Sequence, residues 1–144
     1  MTYTRNPALE ELTVLAGEWE LESPQYPDAK GRADFEWLED GAFLVEHQGH
    51  TGQVATWIYG SDGPAEGQTV LYYDSRGITR VYRSTLRDRT WRVWRDAPDF
   101  SQRFTGRVAE DGNTIEGAWE SATDGVHWEH DFDLTFTRVH ERPA

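Results

Sequence analysis

After Gly17 the chain is punctuated by turn residues at short, regular intervals, and this spacing restricts the fold more than any other feature. EDG at 39–41, GHTG at 49–52, GSDGPAEG at 60–67, DSRG at 74–77, EDGN at 110–113 and TDG at 123–125 each read as a reversal of the chain. The segments between them hold one short strand each, at about 18–24, 31–39, 42–48, 53–59, 68–74, 78–86, 89–96, 100–108, 113–121 and 127–139. Parallel neighbours would need crossover connections of a dozen residues or more, and no link has room for a helix. The expectation is an all-β fold, an up-and-down antiparallel barrel of about ten strands, spanning residues 1–144 as one domain. One short helix precedes it at about 7–16, where Asn6 can cap, Pro7 suits the first turn, and Leu9, Leu12, Leu15 and Ala16 form an apolar stripe.

Alternation then assigns faces. Trp19, Leu21 and Ser23 oppose Glu18, Glu20 and Glu22; Ala33, Phe35 and Trp37 oppose Asp34 and Glu36. In the third strand the charged Glu46, with Gln48, is assigned to solvent, which turns Phe43, Val45 and His47 inward. Ile115, Gly117 and Trp119 point inward from the ninth strand. The last strand turns Trp128, His130, Phe132, Leu134, Phe136 and Arg138 the same way. VATWIYG, TVLYYD, ITRVYRS and WRVWRD instead carry aromatic, aliphatic and arginine side chains on both faces. A closed sheet of ten strands encloses more space than its side chains fill, so a cavity is expected where clean patterning fails, between about 54 and 95.

The stretch WRVWRDAPDFSQRFTG, 91–106, places three arginines among four aromatics, a composition that often marks nucleic-acid binding. A net charge of −12 argues against that reading and against anionic membrane surfaces, because both attractions need a basic field. Parity divides the stretch into Trp91, Val93, Arg95, Phe100, Gln102 and Phe104 inward and Arg92, Trp94 and Asp96 outward, which is a pocket wall. Without cysteine there is no thiolate nucleophile and no disulfide, and the N-terminus lacks the apolar run of a signal peptide, so a cytoplasmic location is expected.

Gly17 and Trp19 in LAGEWELES, with Arg138 in TFTRV, give the chain a resemblance to the calycin superfamily, the lipocalin and fatty-acid-binding barrels. That resemblance implies that Arg138 packs across Trp19 at the closed end, a structural role for both. WIYGSDG, VLYYDSRG, WRDAPDFSQRFTG and DFDLTFTRV look closer to a bacterial lipocalin-like family of unknown function. Fatty-acid-binding relatives hold a carboxylate with Arg-x-Tyr on the last strand, where this chain has Phe132, Asp133 and Leu134; an Arg-x-Tyr does occur as Arg80, Val81, Tyr82. A more distant similarity, to nitrobindin-like haem barrels, implies His130 as axial iron ligand, although GEWELES departs from that group's glycine-rich signature after the Trp.

The favoured function is non-covalent binding of a small apolar or aromatic ligand bearing an acidic or polar group. Phe35, Trp37, Phe43, Trp91 and Phe104 are the candidate apolar walls, and Arg80, Arg95, Tyr82, Gln102 and His47 the candidate polar contacts. Arg83, Arg92, Arg103 and Arg107 are assigned to surface pairing. No cofactor or metal is expected: His47 and His50 flank a turn without a third ligand, and the ends of HWEH point to opposite faces. Haem on His130 is one alternative. A cofactor-free cyclase or isomerase is another, with Tyr72, Asp74 and Arg80 as its conceivable acid–base cluster, but no nucleophile elbow or phosphate loop is present, so a binder is preferred to an enzyme. The partners expected are a small-molecule ligand and at most a second copy, giving a monomer or a homodimer. An interaction surface would need Trp57 or Trp94 to face outward.

Overall fold

In the computed structural model, which describes residues 6–28, 30–50, 52–63 and 67–140, ten antiparallel strands close into a barrel. They are β1 (Gly17–Glu22), β2 (Gly31–Leu38), β3 (Phe43–His50), β4 (Gln53–Gly60), β5 (Gln68–Asp74), β6 (Thr79–Arg87), β7 (Thr90–Arg95), β8 (Ser101–Val108), β9 (Thr114–Ala122) and β10 (Glu129–Arg138). Each pairs with its sequence neighbours, and β1 closes the ring against β10 with Trp19 opposite Arg138. Closure leaves no sheet edge unpaired, which removes the commonest route to strand-mediated aggregation. Residue 51 and residues 64–66, within two of the sequence-predicted turns, and the His50 side chain lie outside the described residues, so the pairing of His47 with His50 does too.

The helical segment Pro7–Leu15 has 3₁₀ geometry, and the Asn6 side chain accepts from the Ala8 N–H at 3.0 Å. It closes one end of the barrel by burying Leu9, Leu12 and Leu15 completely. Polar contacts fix its position. The Gln68 amide donates to the Ala8 carbonyl and to Glu11, both at 2.9 Å, while its oxygen accepts from Ser84 at 2.6 Å. Beside them the Trp19 indole donates to the Leu15 carbonyl at 2.9 Å, and the Arg138 guanidinium lies 4.1 Å over the Trp19 ring. Arg138 also donates to the carbonyls of Val14, Ala16 and Gly112 at 2.5 to 3.2 Å, so its charge is buried with its hydrogen-bonding capacity used. Gly17 is required here: its φ is +123°, and a Cβ would stand 2.8 Å from the Arg138 guanidinium.

Above this floor the lumen is filled with rings. Trp91 packs edge-on against Phe35, Phe104 and Phe136, with centroids 5.2 to 6.0 Å apart, and Phe104 leads to Trp119 at 5.4 Å. A Cβ at Gly117 would meet the Phe104 ring at 2.5 Å, so the bare backbone of β9 is what lets that ring lie flat in the barrel. Toward the other end Trp57 contacts Tyr72, Tyr82 and Trp119.

Two face assignments need correction. On β3 it is Leu44, Glu46 and Gln48 that face the lumen, while Phe43 and His47 are exposed on the outside and Val45, on their parity, is buried. FLVEHQ carries apolar residues on both parities, and the expectation that a glutamate faces water selected the wrong one. On β10 the register against β9 shifts between His130 and Phe132. This bulge keeps Phe132, Leu134, Phe136 and Arg138 inside as expected but turns His130 outward, where it bonds Asp133 at 3.0 Å; Trp128 likewise lies outside, over Arg103. Trp57, considered for an outer partner surface, faces the lumen.

Candidate functional site

Opposite the helical floor the barrel opens into a cavity of about 480 Å³. Its wall includes inward residues of β4, β5 and β6, where alternation in the sequence is least regular, but β1, β8, β9 and β10 supply much of the rest and β7 supplies none, so the expected placement between about 54 and 95 is met only in part. Trp57, Trp119, Phe132 and Leu134 form apolar surface, and Tyr26 rests edge-on against Phe132 at 5.7 Å as part of the rim. Polar surface comes from Arg76, Arg80, Tyr72, Tyr82, Gln102 and Gln48. Among the described residues the wall contains two arginines and no carboxylate, although the chain has 26 acidic and only 14 basic residues.

β6 sets the central pair. Residues 80 and 82 share a face by strand periodicity, and the Arg80 guanidinium sits beside the Tyr82 hydroxyl and 5.3 Å from the Phe100 ring. Tyr82 donates to the Gln102 amide oxygen at 2.5 Å. Burial raises the Tyr82 pKa, and the nearby arginines oppose that rise, so the phenol stays a neutral donor. Next to this pair, Asp74 accepts from the Tyr72 hydroxyl at 2.5 Å and from Arg76 at 2.6 Å. The Arg76 hydrogen bond, reinforced by Tyr72, holds the Asp74 carboxyl well below the usual carboxylate range. Burial, with the Asp74 hydrogen bond behind it, pushes the Tyr72 phenol up to about 12. The Tyr72–Asp74 part of the conceivable acid–base cluster therefore exists, but its cation is Arg76 rather than Arg80. A carboxylate so strongly biased to its ionised form is a weak proton acceptor.

Deeper in the lumen lies a second chamber of about 20 Å³. It shares Gln48, Trp57, Trp119 and Leu134 with the large cavity and adds Glu46, Tyr59 and Trp91. Glu46 is 1% exposed. One carboxyl oxygen accepts from the Tyr59 hydroxyl at 2.9 Å and the other from the Gln48 amide. Desolvation is the dominant influence and raises the Glu46 pKa to about 7 against the lowering effect of both donors. Trp57 and Trp91 bring indole N–H groups that are buried without a hydrogen-bond partner among the described residues.

The sequence-derived candidates separate accordingly. Arg80, Tyr82 and Gln102 meet at the large cavity, and Trp91 and Phe104 line the deep chamber. Phe35 and Trp37 pack in the core rather than on a cavity wall. Arg95 is half-buried at the open end of β7 opposite Gln102, with its Nη1 buried and unpartnered, but it is not part of the wall. Phe43 and His47 are removed from the site by the β3 correction, and His130 by the β10 bulge, which leaves the haem reading without its named ligand in the lumen. Among the described residues no three His, Asp or Glu side chains are grouped to hold a metal, and no helix is long and apolar enough to cross a membrane.

Glu46, Tyr59, Gln48 and Arg76 were not foreseen. The hairpin joining β3 to β4 carried a signal for three of them: its register pairs Glu46 with Trp57 and Leu44 with Tyr59. Paired residues share a face, so an inward Trp57 requires an inward Glu46. No family model matches the chain, and no curated protein does.

Proposed function

We propose that the barrel binds, without covalent chemistry, a small molecule with an apolar or aromatic body and an anionic group. The single observation that carries this reading is the sign of the cavity wall: among the described residues it holds two arginines and no carboxylate, in a chain of net charge −12. Arg76 is already matched by Asp74, so Arg80 is the cation the ligand would engage, with Tyr82 and Gln102 beside it. Trp57, Trp119 and Phe132 would hold the body. A volume of about 480 Å³ suits a molecule of metabolite size. The closed ten-stranded barrel and the Trp19–Arg138 stack support membership of the calycin group, whose binding members this reading follows.

Arg80→Met tests the charge assignment. Affinity for 2-naphthoate, measured by calorimetry, is expected to fall by on the order of tenfold or more, while 2-naphthamide, which is neutral and nearly the same shape, changes by less than about twofold. Equal losses for both compounds would sink the assignment.

A further inference from the structure

The deep chamber is too small for any part of a ring. A water-sized probe needs roughly 10–15 Å³, so about 20 Å³ admits one small polar group. It is also not built as apolar filler. Trp57 and Trp91 are 7% and 2% exposed, both line the chamber, and each has a buried indole N–H with no partner among the described residues. Buried donors of this kind are normally satisfied. On the same wall stands Glu46, whose two oxygens are each held by one donor, Tyr59 or Gln48, and each of which retains a lone pair.

We propose that this chamber is a hydroxyl-recognition subsite for the far end of the ligand. The proposal rests on the ligand reading above and narrows its chemical class to an anion at one end and an alcohol or phenol at the other. The bonding capacities match. A hydroxyl has two lone pairs, which the Trp57 and Trp91 N–H groups fill, and one hydrogen, which the Glu46 carboxylate accepts. Its remaining bond, to carbon, leads past the shared wall of Gln48, Trp57, Trp119 and Leu134 into the large cavity. A carboxylate or phosphate is excluded because it would face the Glu46 charge and exceeds the space. A methyl would leave both indoles unpaired.

Two matched pairs of probes test this, one flexible and one rigid: decanoate against 10-hydroxydecanoate, and 2-naphthoate against 6-hydroxy-2-naphthoate. For at least one pair the hydroxylated member is expected to bind the wild-type protein on the order of tenfold tighter, the worth of one or two buried hydrogen bonds. In Trp91→Phe, whose ring lines only the deep chamber, that preference is expected to shrink to less than about threefold, with affinity for the parent acid little changed, while Trp57→Phe, whose ring also holds the ligand body, serves only to assign its resonance. The indole N–H resonances of the wild-type protein, assigned with the same two variants, supply a readout that does not depend on variant stability. The Trp57 and Trp91 signals should move downfield with the hydroxylated probe and not with its parent. If the acids bind but their hydroxylated forms bind equally or more weakly, and the indole signals do not distinguish them, the chamber holds at most a water and the proposal is overturned while the ligand reading stands. If none of the four probes binds, the ligand reading falls and the subsite with it.

Discussion

The two ends of the barrel are built around the same residue type put to opposite use. At the closed end Arg138 stacks on Trp19 and delivers its N–H groups to three backbone carbonyls, so the protein itself satisfies the cation. At the open end Arg80 also lies against an aromatic ring, Phe100, but faces a cavity, and among the described residues no carboxylate pairs with it. The difference teaches where energy is committed. A cation whose partners are internal contributes to folding, whereas one held in a wall without an acceptor is available to an outside anion.

The largest effect follows from removing the internal one. Arg138→Met strands the Val14, Ala16 and Gly112 carbonyls and the face of Trp19, and is expected to lower unfolding free energy by about 3–5 kcal/mol in urea titrations. Arg80→Met is expected to change it by less than about 1 kcal/mol, because Tyr82, the buried group beside it, keeps its hydrogen bond to Gln102. Similar losses in the two variants would break the distinction between the ends.

The buried carboxylates sharpen the same contrast. Asp74 has Arg76 against it and ionises easily, whereas Glu46 has only neutral donors and its pKa stands at about 7 rather than its ordinary 4.5. A raised carboxyl pKa means that the folded protein binds the proton more tightly than the unfolded chain. Stability from Glu46 is therefore greatest below about 4.5, falls as pH rises toward 7 and levels off above it. Between pH 5.5 and 8 the loss from this one group is on the order of 2 kcal/mol. Replacing it by the neutral isostere, Glu46→Gln, should remove that slope, so the variant gains on the wild type as pH rises through this window. A constant offset between the two denaturation midpoints from pH 5.5 to 8 would show that Glu46 titrates normally.

Most of the architecture was legible because it depends on local rules. Turn residues at regular spacing predicted ten strands without a crossover, and the pairing of Trp19 with Arg138 follows from the resemblance and is found in the register of β1 with β10. The site was legible where strand parity could be followed through a hairpin, as at Trp91, Gln102 and Phe104, although Arg95 on the same parity stands outside the wall. It was not legible at Glu46, because alternation rules assume that charge seeks water, and a glutamate buried between neutral donors presents the same letter as an exposed one. Nor was it legible at His130, since a single-residue bulge reverses parity without leaving a mark in the hydrophobic pattern.

The smallest expected effect returns to the arginine-rich stretch. Arg103 lies on the outer face of β8, bonded to Glu120 through two nitrogens at 2.8 and 3.2 Å and stacked 4.1 Å over Trp128. Its side chain is 42% exposed, so solvent screening reduces the value of that well-formed ion pair, and Arg103→Met is expected to cost less than about 1 kcal/mol. Affinity for 2-naphthoate should be unchanged, since the wall of the barrel stands between Arg103 and the cavity. A loss of affinity as large as that of Arg80→Met would place Arg103 in the site and undo the division of the stretch into a lumen face and a solvent face. An unchanged affinity would mean that the stretch gives the lumen Gln102 and its inward rings while Arg103 serves the outer surface, and that overall composition is a poor guide to what such a segment binds.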